Sequence, residues 1–367
     1  MHFSRIKSVV GVTMVAMCLT VAIAVADNDK DRDRDHDKLA VNNVKGSLSV
    51  MVLGSGGPMA TASGRASAGY LIFVDGVPRI LMDVGGGTYQ RLAESGATIP
   101  SLDIVLLSHL HIDHTGDLSP MIKTAYFHAR SAGTPRPATQ PIRIWGPGAT
   151  NVPFPGTTVA QFPSSEEHVH GHYALPGGVD RYLKAFVTAI GGGQFAYAAH
   201  NLSPLTTDPV QTVLDEGGLV VKAIGVLHGP GVLLPGATTP VSTVPALAFR
   251  VDYKGKSIVY SGDTNSKTNN MITLAQGADL LIYDTAITDT QPDVSVTPGD
   301  AVFFALHTTP TRMGQVAVAA QPKKLVLSHL TPITEPRLDE VQQLIRAQGY
   351  TGRISVAKDL KVYNLDE

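Results

Sequence analysis

Four short apolar runs in this chain each end in histidine or aspartate, and that recurrence limits its folds more than any other feature. The richest run, Ile104 to Leu107, leads into Ser108-His109-Leu110-His111-Ile112-Asp113-His114. The other three are Gly218-Leu-Val-Val-Lys-Ala-Ile-Gly-Val-Leu-His228, Ser257-Ile-Val-Tyr-Ser-Gly-Asp263 and Leu325-Val-Leu-Ser-His329. β-Branched and leucine-rich runs of this length read as buried strands. Donors at the ends of buried strands stand on rigid supports and meet at one sheet edge, as a preorganised metal site requires.

Spacing within the first cluster sharpens the chemistry. His109 and His111, two apart in extended backbone, project to one side and can share an ion. Asp113 and His114 follow where the chain turns and can reach a second. Imidazole and carboxylate suit zinc, and a divalent ion brings bound water into the nucleophilic range near neutral pH, so the chemistry suggested is hydrolysis. A polar histidine loop between a strand and a helix is the plain alternative. About four ligands per zinc are needed, so this cluster alone cannot fill two sites.

Several stretches together resemble the metallo-β-lactamase fold superfamily, and within it the branch of ribonuclease Z and zinc arylsulfatase-like hydrolases. In order they are Val52-Leu-Gly-Ser-Gly-Gly-Pro58, Ile80-Leu-Met-Asp-Val-Gly-Gly-Gly-Thr88, the histidine cluster, Ile144-Trp-Gly-Pro-Gly-Ala-Thr150, Ser261-Gly-Asp-Thr264, Gly277-Ala-Asp-Leu-Leu-Ile282, His307-Thr-Thr and Leu325-Val-Leu-Ser-His329. The resemblance runs from about residue 48 to 365 and is poorest between 150 and 215. It implies an α/β fold, an αββα four-layer sandwich of two mixed β-sheets flanked by helices. It also implies two Zn2+ ions, with Mn2+ or Fe2+ as other candidates. His109, His111 and His228 would hold one ion, Asp113, His114 and His329 the other, with Asp263 bridging and a hydroxide between the ions as nucleophile. Asp113 would orient that hydroxide, and His307 would stabilise the oxyanion or protonate the leaving oxygen. His307 could instead cap the helix expected around Thr311 to Gln321.

Departures from ribonuclease Z matter too. The branch usually has an acidic residue in the stretch Val84-Gly-Gly-Gly-Thr88, and the tRNA enzyme follows its last ligand with Ser-x-Arg-Tyr, where this chain has Leu330-Thr-Pro-Ile-Thr334. Between 131 and 217 the chain is rich in Gly, Pro and Ala and carries only Arg136, Arg143, Arg181 and Lys184 as fixed cations. A formal net charge of −2 adds no basic surface. Phosphate contacts dominate nucleic-acid affinity, so the expected partner is a small-molecule ester and nucleic acid is set aside. A homodimer stays open.

The amino terminus points outside the cytoplasm. Arg5 and Lys7 precede the uncharged stretch Ser8 to Ala26, and Ala24-Val25-Ala26 before Asp27 has the form of a cleavage site. Residues 1–26 read as a secretory signal, with an uncleaved anchor as the alternative, and the expected location is periplasmic or secreted. Once cleaved, the chain has no stable membrane insertion. Cys18, the single cysteine, lies inside this segment and leaves the mature chain without a thiol for a disulfide or a metal. The interleaved charges of Asp27 to Lys38 then read as part of a solvated tether over 27–45, and their lack of a glycine turn or terminal glutamate argues against a calcium loop.

With 43% hydrophobic residues, the remainder can bury a large core, and donors spread from 109 to 329 require one hydrolase domain over 46–367 with an insertion at about 131–217. Strands are expected at 48–54, 67–75, 79–84, 103–108, 142–146, 218–227, 246–253, 257–261, 279–284, 324–328 and 353–364. Helices are expected at 117–130, 268–277, 311–321 and 337–348. In the insertion, Tyr182, Phe186 and Ile190 have helical spacing, and His168, His170 and His172 alternate as they would on a strand holding an extra metal or in an exposed loop. His200 rivals His228 but lacks a preceding apolar strand. Asp83 and Asp284 follow strands and either fix an imidazole tautomer or cap a turn. His128 reads as an ordinary surface or packed histidine. The leading function is an exported binuclear zinc hydrolase of small phosphodiester or sulfate esters. The alternatives are a lactonase or β-lactamase-type hydrolase, and a metal-dependent binding protein without catalysis.

Overall fold

The computed structural model describes residues 39–366, apart from 136, 138, 154–156, 159–161, 175, 190–195 and 291–302. The expected signal at 1–26, the expected tether up to residue 38, Arg136 and Ile190 of the helical stripe lie outside the described residues. Residues 39–45, placed in the tether by sequence, are part of the fold. Ala40–Asn43 forms one turn of 3-10 helix with Ala40 buried, and the Asn364 amide donates to the Asn43 carbonyl at 3.0 Å. The alternating charges stop at Lys38, and Leu39, Ala40 and Val41 supply apolar groups that pack.

Two seven-stranded mixed sheets form the body. In the first, β1 (Leu48–Gly54), β2 (Gly69–Val74) and β3 (Val77–Val84) make an antiparallel meander. Then β4 (Ile104–Leu106), β5 (Ile142–Pro147) and β6 (Tyr197–Leu202) continue parallel to β3. The second holds β7 (Gln211–Glu216), β8 (Leu219–Gly225), β11 (Leu247–Tyr253) and β12 (Lys256–Tyr260) in antiparallel order, extended by parallel β13 (Leu280–Asp284), β14 (Lys324–Ser328) and β15 (Arg353–Val356). A separate hairpin pairs β9 (His228–Val232) with β10 (Val241–Val244). The strand expected at 353–364 is two strands: β15 ends the second sheet, and β16 (Val362–Asn364) crosses to pair antiparallel with β1. The turn between them is fixed by Asp359, whose carboxylate accepts from Ser55 and Ala66 backbone N–H groups, and by Leu360 at φ 66°.

Packing explains why these runs are apolar throughout rather than alternating. Every residue of β1 is buried, because both faces of the sheet are covered. One face, with Val50, Ile72, Ile80 and Leu106, meets Val221, Phe249, Ile258 and Ile282 of the second sheet. The other face packs under α1 (Thr88–Ser95) and α3 (Leu118–Ser131), which contribute Leu92, Met121, Ile122 and Tyr126. The far face of the second sheet carries α6 (Asn270–Ala275), α7 (Pro310–Ala320) and α8 (Leu338–Ala347) through Leu274, Met313, Val316 and Ile345. The four layers are helix, sheet, sheet, helix, the αββα sandwich. Between them, α2 (Ile112–Thr115) is a single turn after β4, and α4 (Ser165–Val169) and α5 (Val179–Ala189) follow β5.

Candidate metal centre

The carboxyl ends of parallel strands from both sheets open on one rim, where ligand sites of open α/β sheets lie. At that rim β3 brings Asp83, β4 brings the histidine cluster, β12 leads to Asp263, β13 ends in Asp284 and β14 leads directly to His329. Asp83 and His329 take positive φ values of 52° and 58°, conformations that non-glycine residues adopt at a cost. Glycines let the chain approach. A Cβ on Gly57 would sit 2.9 Å from the His329 ring, and one on Gly85 would sit 2.0 Å from the Asp113 carbonyl oxygen. The stretch where the branch usually has an acid is thus filled by backbone contact with the cluster.

Two donor groups form. His109, His111 and His228 make one, and Asp113, His114, Asp263 and His329 the other, with the donor atoms of each group within 4.8 Å of one another. His109 Nε2 lies 3.0 Å from His111 Nδ1, which lies 3.3 Å from His228 Nε2. In the second group His114 Nε2 is 3.2 Å from His329 Nε2, and both are 3.4 Å from Asp263 Oδ1. Asp263 Oδ2 reaches back to His109 Nε2 at 3.9 Å, so this carboxylate stands between the groups.

Imidazole orientation is set from behind. His114 Nδ1 donates to Asp83 Oδ2 at 2.7 Å, which leaves the Nε2 lone pair facing the centre. Asp83 also accepts from the Ser108 N–H, the Ser108 hydroxyl and the Tyr260 hydroxyl. His228 Nδ1 donates to the Leu306 carbonyl at 2.9 Å, turning Nε2 inward. Burial pushes His228 down to about 3 and, with neighbouring His114 and His228, holds His109 well below its ordinary value, so both are neutral bases. His329 is pushed up to about 10: burial opposes the shift, but Asp263, Asp113 and Asp284 outweigh it. The carboxylates around the second group therefore draw positive charge to the point where its nitrogens converge.

These features fit a pair of divalent ions. In the first group the outer nitrogens of His109 and His228 are engaged by Ser108 and the Leu306 carbonyl, so both Nε2 lone pairs face His111 Nδ1 at 3.0 and 3.3 Å, and one proton there cannot serve both. Asp263 Oδ1 is buried without a hydrogen-bond partner, a costly state that a bound cation relieves. The two clustered His/Asp groups are consistent with the binuclear zinc-type site of this fold.

A third group sits beside these. His307 Nδ1 donates to Asp284 Oδ2 at 2.8 Å, Asp284 Oδ1 lies 3.2 Å from His329 Nδ1, and the His307 ring is 5.8 Å from that of His228 and 5.5 Å from that of His329. His307 does not cap α7, since Thr309 accepts from the Arg312 N–H at the start of that helix. Asp83 and Asp284 both engage imidazoles. His200 stacks on Trp145 with ring centroids 4.3 Å apart and belongs to neither donor group. His168, His170 and His172 lie on helical turns rather than a strand, with His172 facing Ser119 at 2.8 Å, and no metal group includes them among the described residues. Sequence reading missed Tyr260, whose only signal is its inward position three residues before Asp263.

Comparison with known proteins brings one correction. The model of the beta-lactamase superfamily domain matches residues 166–330, and the model of the anti-Pycsar protein Apyc1 matches residues 48–137. Ribonuclease Z of Mycobacterium bovis is 28% identical over 323 residues, covering 85% of this chain and 96% of its own, and ribonuclease Z of Mycobacterium avium is 27% identical, covering 87% and 99%. Among solved structures, human tRNase Z short form aligns with a TM-score of 0.56 at 20% identity over 86% of this chain and 99% of its own. Zn(2+)-bound PqqB from Methylobacterium extorquens aligns with a TM-score of 0.54 at 15% identity over 86% and 99%. The expectation that set nucleic acid aside as a partner is overturned, because relatives spanning most of this chain bear the name of a nuclease. The sparse cations of the insertion were too local a basis, since they describe one segment and not the rest of the surface around the rim. Matches that reach both halves of the chain agree with the sandwich and its donor-lined rim, and the chain belongs to the metallo-β-lactamase fold superfamily of metal-dependent hydrolases.

Proposed function

We propose that this enzyme hydrolyses phosphodiesters, with His109, His111 and His228 holding one zinc ion, Asp113, His114 and His329 the other, and Asp263 between them. The observation that carries the reading is the buried His307–Asp284 pair set against both donor groups. When bound, the two ions supply Lewis-acid polarisation of the phosphoryl oxygens and lower the pKa of water. Asp284 accepts from His307 Nδ1 and supports the imidazolium form, whose Nε2–H serves the ester as acid or hydrogen-bond donor. Asp113 is held well below the usual carboxylate range: burial opposes this, but His114 and His329 dominate, so it accepts hydrogen bonds from an incoming water molecule.

The names of the curated relatives bring RNA within the proposed substrate class. The proposal includes export, supported by Arg5 and Lys7 ahead of the uncharged Ser8 to Ala26. Mass analysis of the chain purified from outside the cytoplasm tests it, with a mature start at Asp27 expected. Steady-state assays of the zinc-loaded enzyme against an aryl phosphodiester, a short RNA, an aryl sulfate, a lactone and a cephalosporin test the chemistry. Turnover confined to the last two would sink the phosphodiester reading.

A further inference from the structure

Beside the first donor group lies a small cavity of about 120 Å³ that the proposed chemistry leaves unassigned. Leu110, Phe162, Val244 and Pro245 supply its apolar walls, and His111 and His168 its polar ones. It adjoins the donors on two sides. His111 lines the cavity with one side of its ring while Nδ1 faces His109 and His228, and Val244 is the residue paired opposite His228 in the hairpin. Burial lowers the His168 imidazole below its ordinary value, so that wall too is uncharged. The capping box of Ser164 and Glu167 anchors the turn that carries Phe162 and His168, and the Ser165 hydroxyl ties it to the carboxyl end of β5 at Pro147.

From this placement we infer that the cavity is a specificity pocket for a single six-membered aromatic ring carried by the phosphodiester substrate. The inference rests on the phosphodiester reading above and names the class within it. The volume is near the roughly 150 Å³ of engineered apolar cavities that admit benzene, and too small for a fused bicyclic group with its substituents. Walls of aliphatic and aromatic carbon without a fixed charge favour a neutral ring over a sugar or a second phosphate. A ring seated there lies against His111, so the phosphoryl group one or two bonds away falls beside both donor groups.

Two measurements on the full zinc-loaded chain test this. The first compares kcat/KM for benzyl trifluoroethyl phosphate and methyl trifluoroethyl phosphate, which share a leaving group without a ring. Burying the ring predicts a preference of about 10- to 100-fold for the benzyl diester. Phe162→Ala should cut the preference severalfold, and Val244→Phe, which fills the cavity, should abolish it; thermal unfolding and zinc content verify that each variant folds and holds both ions. The second measures binding of phenylphosphonate and methylphosphonate by calorimetry and needs no turnover. Equal affinity for the two phosphonates would overturn the pocket even if both diesters are cleaved. Tighter phenylphosphonate binding that Phe162→Ala weakens would uphold the pocket even if neither diester is cleaved, a result that would instead sink the hydrolytic reading.

Discussion

At the scale of single residues, the carboxylates behind the histidines decide how well the donors hold metal. Asp83 accepts four hydrogen bonds, from Ser108 twice, His114 and Tyr260, and Asp83→Asn replaces one acceptor oxygen with a donor. We expect that variant to bind the second zinc equivalent about 10- to 100-fold more weakly, read by competitive zinc titration. Its fold should survive at a cost of about 1–3 kcal/mol in urea denaturation. His307→Gln should behave oppositely, keeping two zinc equivalents by metal analysis while kcat falls about 10²- to 10⁴-fold. The donors themselves were legible from sequence because each ends or follows an apolar run. Asp83 and Asp284 were only half legible, since a strand-end aspartate that fixes an imidazole and one that caps a turn look alike until the partner in space is known.

At the scale of elements, burial on both faces made the central strands readable, whereas polar or glycine-rich elements stayed hidden. Helix α1 shows one strong apolar anchor, Leu92, behind three glycines, and starts at Gly87 with φ 93°, so neither a periodic stripe nor a capping side chain announces it. Strand β9 contains two glycines and a proline in five residues and forms only because β10 pairs with it. Helix α3 is bound to the loop before β4 by His128, whose Nδ1 accepts from the Ile99 N–H at 3.0 Å. Burial lowers the His128 pKa below its ordinary 6.5, so the folded state favours the neutral ring. The unfolded chain then binds the extra proton first, and the stabilisation present above pH 6.5 is lost as pH falls toward the folded value. His128→Gln keeps an acceptor without titrating. The drop in urea midpoint between pH 7.5 and pH 5.5 should therefore be smaller in the variant than in the parent, and an unchanged drop would remove His128 from the account.

At the scale of the whole molecule, the centre draws donors from both sheets, so the rim reports on the closure of the entire sandwich. The chain's two described ends also meet: Val50 pairs with Tyr363, and the Ser47 N–H and hydroxyl both donate to Asp366. Stopping the chain after Lys361 removes β16 and leaves the apolar strand β1 as an unpaired edge, a surface that recruits other chains. Light scattering of that truncated form should show aggregation, and a monodisperse product would count against the pairing as a stabilising element. Val50 and Tyr363 are so distant in sequence that their contact closes a very long loop, and folds built on distant pairings form slowly. Local pairing with β2 covers one edge of the first strand early, so its other edge stays open until β16 arrives, and the seam that seals the first sheet is among the last to close.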